Sequence, residues 1–191
     1  MAEEKLRAFL AVALSESMLQ EAQQFVAHIQ SFNPKFRYIP KDNWHLTLHF
    51  LGSIDAAQLP KLKDALQAAF EKASPFELQL RGSGGFPPGK RHHLLWLGVD
   101  GELETLNHIY HLEEDVLSAH SIKVEDRPFH PHITIARCKE KLPCQFGESE
   151  IEFASRTKMR ADHVTLFQSR LSSEGSVYTK LFSVPLGNPG A

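Results

Sequence analysis

The segments 44–52, WHLTLHFLG, and 127–138, RPFHPHITIARC, decide how this chain is interpreted. Each places a His and a Thr two positions apart in an apolar, β-prone run, as His45 and Thr47 and as His132 and Thr134. In a strand, alternate side chains share a face and the rise is about 3.3 Å per residue, so each imidazole lies ~6–7 Å from its hydroxyl. Two such strands at one cleft would supply two acid–base groups and two hydroxyl donors.

Strict alternation assigns the intervening apolar residues to the opposite, core-facing side of each strand. These are Leu46, Leu48, Phe50, Ile133 and Ile135. A third His-x-Thr, at His163 and Thr165, follows a charged stretch and lacks the proline-led, aromatic approach of the other two. It is predicted to be an ordinary pair of strand residues.

The two motifs resemble the paired motifs of the two-histidine phosphoesterases. Within that group they are most similar to the RNA 2′,3′-cyclic phosphodiesterase family, also called the 2′-5′ RNA ligase family. The likeness extends over nearly the whole chain, through 37–40 (RYIP), 84–87 (GGFP), 94–99 (LLWLGV) and a strand pair around 166–171 and 178–186. These flanking matches are individually weak, but they occur in the family's order.

Composition favours one globular domain spanning 1–191, with 42% apolar and 23% charged residues. The net charge of −2 argues against an extended electrostatic binding surface for duplex DNA, which needs an excess of basic residues. Cys138 and Cys144 form neither a CxxC nor a dense framework, which indicates a reducing compartment. The apolar run 8–14 is too short to span a bilayer and has the wrong flank for a signal peptide. We expect a cytoplasmic monomer with no membrane contact.

Periodicity along the chain predicts strands interleaved with three helices, which is an α+β or α/β arrangement. The predicted helices are 15–31, 54–72 and 102–119. The predicted strands are 7–14, 45–51, 76–81, 93–99, 131–137, 151–155, 163–171 and 176–186, with a Gly/Pro-rich loop at 82–89 and a turn at 172–175. The resemblance implies an α+β fold, a single bilobal domain with two pseudo-symmetric antiparallel-sheet lobes and flanking helices around a central groove.

The residues and the resemblance together point to hydrolysis of an RNA 2′,3′-cyclic phosphate end without a metal or other cofactor. Histidine can act as acid or base near neutral pH, and threonine hydroxyls can donate to the non-bridging phosphate oxygens. By resemblance, His45 protonates the leaving 3′-oxygen, His132 activates water, and a 2′-phosphomonoester results. The residues themselves leave the two roles interchangeable. The family name also implies the reverse, joining RNA ends through 2′-5′ bonds.

Further side chains are predicted to touch substrate. Arg137 could bind phosphate, although strict alternation places it opposite His132 unless a bulge intervenes. Tyr38 and Phe86 could stack on a base, or could pack at a loop edge. Trp96 is predicted to lie in the core, and His130 in a solvated loop.

Three alternatives remain open. A metal site could use His45 with His49, which alternation places on one face. It could also use the pair His92 and His93, or His130 and His132, which flank a proline, but no HExxH or familiar ligand spacing is present. A non-catalytic RNA-binding module could retain the same strands. The substrate could instead be a small cyclic nucleotide, an ADP-ribose cyclic phosphate or a 2′-5′ linked oligonucleotide.

Overall fold

A computed structural model describes the strands and helices of residues 4–32, 35–88, 91–125, 127–139, 144–145, 153–173 and 175–187. The helices are α1 (Glu16–Phe32), α2 (Leu59–Phe70) and α3 (Leu103–Ala119). The strands are β1 (Lys5–Ala13), β2 (Phe36–Tyr38), β3 (His45–Asp55), β4 (Phe76–Phe86), β5 (Arg91–His92), β6 (Leu94–Gly101), β7 (His132–Cys138), β8 (Cys144–Gln145), β9 (Ala154–Ala161), β10 (His163–Ser172) and β11 (Gly175–Pro185).

Among the described residues, nine strands form one antiparallel sheet in the order β11-β10-β1-β3-β7-β6-β4-β9, with β2 beside β7. The pairings within each half are long, whereas β3 and β7 are joined through the single registered pair Leu46–Ile133. The α+β class is confirmed. The two motif strands join the halves of this sheet at its middle, and the bilobal arrangement stays a prediction.

The helices and one face of the sheet enclose a single hydrophobic core. The buried stripe of α1 recurs every three or four residues, at Met18, Ala22, Val26 and Ile29. The Ser15 hydroxyl accepts a hydrogen bond from the Met18 amide at 3.3 Å and caps this helix. None of the described helices is long and apolar enough to cross a membrane.

Three predicted boundaries differ from the structure. The strand predicted at 151–155 is β9, Ala154–Ala161, and positions 151 and 152 lie outside the described residues. The strand β3 continues through Asp55, so α2 begins at Leu59 rather than at 54. The strand β4 continues through Phe86, across the stretch predicted to be a loop. Its glycines are needed there because a Cβ on Gly84 would lie 2.5 Å from Cζ2 of Trp96.

Cys138, at the end of β7, is disulfide-bonded. The spacing of the cysteines predicts reduced thiols, so the structure differs from the sequence-based expectation at this residue. The cytoplasmic location remains a prediction.

Candidate active site

The register of β3 against β7 places the two motifs opposite each other. Leu46 pairs with Ile133 in an antiparallel register, so the adjacent pairs are His45 with Thr134 and Thr47 with His132. Directly opposite side chains have Cβ atoms ~4.5–5.5 Å apart, and diagonal neighbours such as the two histidines lie ~7–8 Å apart. Each imidazole therefore faces the other motif's hydroxyl, in an approximately two-fold arrangement.

Both motif histidines are held by the backbone carbonyl two residues earlier. His45 Nδ1 donates to the carbonyl of Asn43 at 2.8 Å, and His132 Nδ1 donates to the carbonyl of His130 at 2.6 Å. A carbonyl only accepts, so each Nδ1 carries the hydrogen and each neutral ring keeps a lone pair on Nε2. The Nε2 atoms are thus the nitrogens available to take or give a proton.

Burial favours the neutral form of both rings. It lowers the pKa of His45 to about 4, against the opposing effect of the Asn43 carbonyl and with a further lowering from His132. Burial also lowers the pKa of His132, where His130 and Arg137 act in the same direction and the His130 carbonyl opposes them. Near neutral pH both Nε2 atoms are therefore proton acceptors until an anion binds beside them.

A β-bulge in β3 changes which residues face the groove. The register against β1 shifts between Leu10 and Ala11, so Leu48 is an extra residue on β3. His49 therefore joins the buried face, and Phe50 is 49% exposed on the face of Thr47. The prediction that Phe50 faces the core is wrong, since alternation does not continue through a bulge.

The strand β7 carries a bulge at the equivalent position. Its register against β6 shifts so that Ile135 is the extra residue between Thr134 and Ala136. Ile135 and Ala136 are both buried, and Arg137 is exposed on the groove side. This bulge meets the condition under which alternation allows Arg137 to share the face of His132. Phe50 and Arg137 occupy corresponding positions in the two motifs.

His49 belongs to the core rather than to the groove. Its ring stacks on Tyr110 with a centroid separation of 4.0 Å, and its Nε2 lies 2.9 Å from the Tyr110 carbonyl. His45 and His49 consequently lie on opposite faces, so the proposed shared metal site does not form from them. Within the described part of the chain, no three His, Cys, Asp or Glu side chains are grouped as metal ligands would be.

Aromatic rings flank each motif histidine. The His45 ring stacks on Phe9 at 4.7 Å and meets the edge of Tyr178 at 5.2 Å. The His132 ring meets Phe86 at 5.3 Å in an edge-on contact. Phe9 and Tyr178 were not identified from the sequence, because β1 and β11 reach β3 only through the sheet order.

Trp96 lies on the groove side of the sheet, not in the core as predicted. It pairs across the strands with Thr134, and its ring packs against His130 at 5.2 Å and Phe86 at 5.8 Å. His130 is an exposed loop residue, as predicted, and its ring also contacts the rings of Trp96 and His132.

Tyr38 lies away from the groove. It pairs with Ala136, whose side chain is buried, and its hydroxyl donates to the carbonyl of Ile29 on α1 at 3.4 Å. Burial raises the pKa of Tyr38 to about 12. The structure therefore places Tyr38 against the helices, which contradicts its predicted role in base stacking.

A cavity of about 710 Å³ lies over the motif strands. It is bordered by His45, Thr47, Thr134 and Arg137, and its walls include side chains of β1, of the segment 123–127 and of the β10–β11 hairpin. His132 is not among the lining residues, and its ring lies edge-on to Phe86 with the centroids 5.3 Å apart. The cavity is lined by one imidazole, two hydroxyls and a guanidinium, and the register places the second imidazole, that of His132, opposite Thr47. Such a set is suited to acid–base cleavage of an ester of an oxyanion.

The third His-x-Thr is engaged elsewhere. His163 Nδ1 lies 2.8 Å from Asp162 Oδ1 on the surface, and Thr165 Oγ1 hydrogen-bonds Ser183 Oγ at 2.7 Å. Neither residue lines the cavity over the described strands. This placement separates it from the other two motifs, as the sequence predicts.

Comparison with protein families gives a match to the 2′-5′ RNA ligase superfamily over residues 16–172. A protein of Methanothermobacter thermautotrophicus named RNA 2′,3′-cyclic phosphodiesterase is 30% identical over 186 residues, covering 93% of this chain and 97% of its own length. One of the same name from Aquifex aeolicus is 28% identical over 198 residues, covering 95% and 98%.

Solved structures share the fold. The protein TT0787 of Thermus thermophilus superposes with a TM-score of 0.80 at 25% identity, covering 96% of this chain and all of that one. The crystal structure of E. coli LigT with 3′-AMP gives a TM-score of 0.81 at 24% identity, covering 97% and 100%. The whole sheet and its helices are therefore common to these proteins.

Proposed function

The chain belongs to the 2′-5′ RNA ligase superfamily, and from that membership we propose that it hydrolyses RNA 2′,3′-cyclic phosphodiester ends by metal-free catalysis with two histidines. The observation that carries this proposal is the register that sets His45 against Thr134 and Thr47 against His132. A phosphate between these strands lies within reach of both imidazoles and both hydroxyls. Relatives named for this activity, of which the chain covers nearly the full length, support the choice of substrate.

The proposed reaction uses each imidazole once. His132 Nε2 takes a proton from water as the water oxygen bonds to phosphorus. His45, protonated once the anionic phosphate is bound beside it, gives its Nε2 proton to the 3′-oxygen as the P–O3′ bond breaks. The product is a 2′-phosphomonoester, and the two histidines have exchanged protonation states.

The hydroxyls and the guanidinium stabilise charge in this proposal. Thr47 and Thr134 donate to the non-bridging oxygens, more strongly as negative charge accumulates there. Arg137, on the groove face, adds a fork of donors for a phosphate oxygen. Phe86, beside His132, provides a ring on which the terminal base stacks.

The same site can join RNA ends. If the 5′-hydroxyl of a second RNA replaces water, its oxygen bonds to phosphorus, its proton passes to His132, and the 3′-oxygen leaves with a proton from His45. A 2′-5′ phosphodiester results. We propose that this ligation is a secondary reaction of the protein. We also propose that residues 1–191 form a single domain and that the protein is a monomer.

The proposal is tested by incubating the protein with an oligonucleotide that ends in a 2′,3′-cyclic phosphate, in excess chelator, and mapping the product. Turnover to a 2′-phosphate is expected. A 3′-phosphate would reverse the roles of His45 and His132, and loss of turnover in chelator would indicate a metal. Turnover only of small cyclic nucleotides or 2′-5′ linked oligonucleotides would change the substrate, and turnover of none of them would indicate a binding module.

A further inference from the structure

The cavity is larger and more basic than a cyclic phosphate alone requires. The whole cavity has a volume of about 710 Å³, which is in the range of sites that enclose a drug-sized ligand. Beyond Thr47 along β3 the cavity is lined by Phe50 and by Arg7 of the neighbouring strand, and its lining also includes Lys123 and Arg127. We call these four residues the Phe50 subsite.

Phe50 is an exposed aromatic ring aimed at the cavity. It is 49% exposed, one of only a few large apolar side chains so exposed in the described residues. The bulge at Leu48 is what moves it from the core face to the groove face. Gly52, two residues further along β3, also lines the cavity, and nothing lies within 4 Å of the position of a Cβ there, so this part of the cavity is open.

The subsite has cations beside this ring. Arg7 is two residues from Phe9, the cross-strand partner of Phe50, so both share the groove face of β1. Lys123 also lines the cavity, from the loop before β7, and in that loop Arg127 is paired with Glu125 at 3.2 Å. Glu125 is the one carboxylate among the described residues that line the cavity.

We infer that the Phe50 subsite binds the nucleotide that precedes the cyclic end, with its base on the Phe50 ring and its phosphate near Arg7 and Lys123. The inference rests on the proposed function. A cyclic phosphate occupies the 3′ end, so all remaining RNA lies on its 5′ side and has to leave the site along one path. An aromatic platform with flanking cations is how proteins bind single-stranded nucleic acid. The preferred substrate is therefore single-stranded RNA of at least two nucleotides.

The test compares binding of a mononucleotide and of a short single-stranded RNA, each ending in a 2′-phosphate, to the parent protein and to Phe50→Ala. Phe50→Ala is expected to weaken binding of the RNA by about 5- to 100-fold, which is the range for losing one base stack. The loss of affinity for the RNA is expected to be at least ~5-fold greater than the loss for the mononucleotide. Val177→Ala is the control, because Val177 is 51% exposed but does not line the cavity. Phe50→Trp is expected to retain binding.

A second arm measures how salt affects binding. Arg7→Gln is expected to reduce the slope of log affinity against log salt concentration by about 0.7 for the longer RNA, as for one lost phosphate contact on a single strand. Equal losses for both ligands in Phe50→Ala, or no loss, would overturn the inference. The inference would also be overturned if the protein self-associates with increasing concentration and Phe50→Ala abolishes this association but keeps RNA affinity. The Phe50 ring would then belong to an interface between two copies of the chain. Failure of turnover at cyclic ends would count against the proposed function alone, because these readouts are equilibrium binding.

Discussion

Leu46 and Ile133 lie directly opposite each other at the only registered pair between β3 and β7 in the described sheet. This pair is the centre of an approximate two-fold relation between the motifs. Around it, each histidine faces the other motif's threonine, each Nδ1 is held by the carbonyl two residues earlier, and each strand bulges one residue after its threonine. In the proposed function, a cyclic phosphate between the strands would meet similar groups from either side, and its orientation would decide which histidine acts as acid.

Removing either imidazole is expected to stop most turnover. His45→Ala and His132→Ala should each lower kcat by at least ~10²-fold on a cyclic-ended oligonucleotide, since each loses one positioned acid or base. His163→Ala is the matched control, because that ring pairs with Asp162 away from the cavity. A comparable loss in His163→Ala would show that the wrong pair was chosen.

Replacing either motif threonine by valine keeps the shape but removes the hydroxyl donor. Thr47→Val and Thr134→Val are each expected to lower kcat by ~10²-fold with a smaller change in KM, because the donors act mainly on charge that develops during reaction. Thr179→Val, at an exposed position of β11, serves as the control. Losses confined to KM would mean that the hydroxyls only bind the ground state.

The pH dependence of turnover follows from the lowered pKa values of both histidines. The reaction needs one ring protonated, and in the free protein both rings lose their protons below the ordinary value of 6.5. The profile of kcat/KM is therefore expected to be bell-shaped with both limbs below pH 6.5. The maximum of kcat should lie at higher pH, since the bound anion raises the pKa of both rings. Limbs of kcat/KM at or above pH 6.5, or a single sigmoid, would contradict this.

The buried Glu113 on α3 is expected to reduce stability at neutral pH. It is fully buried, neither carboxyl oxygen has a hydrogen-bond partner in the described structure, and burial raises its pKa well above 4.5. His49 Nε2 lies 3.9 Å away, but burial lowers the pKa of that ring, so the two groups meet as a neutral pair rather than as an ion pair. The stability that protonated Glu113 provides is present below its unfolded pKa and is lost as pH rises through its folded pKa.

Glu113→Gln removes this titration while keeping the side chain's shape. The variant is expected to be more stable than the parent at pH 8 by at least ~1 kcal/mol, with the difference shrinking toward pH 5. Urea unfolding at both pH values measures it. Glu114→Gln is the control, because Glu114 pairs with His111 on the surface and should change little. If Glu113→Gln is less stable than the parent protein at pH 8, the Glu113 carboxylate of the parent is charged and has a stabilising partner.

The sequence predicts the general fold because its helices and strands follow regular hydrophobic repeats. The stripe of α1 and the two His-x-Thr strands lie where periodicity places them. The errors come from tertiary features that local patterns do not contain. Two bulges move Phe50 and Arg137 to the groove face, and Gly84 is a strand residue whose missing side chain leaves room for the Trp96 ring. Tyr38 was misplaced because the partner of the short strand β2 was not identified.

In the proposed mechanism, His45 and His132 act on one phosphorus atom. NMR of the imidazole nitrogens during titration with a 2′-phosphate-ended mononucleotide shows whether one phosphate reaches both rings. We expect the Nε2 resonances of both rings to shift together and to saturate at one ligand per chain, with proton uptake near neutral pH. A shift at one ring alone, or full saturation of His132 with unchanged affinity in His45→Ala, would contradict the account.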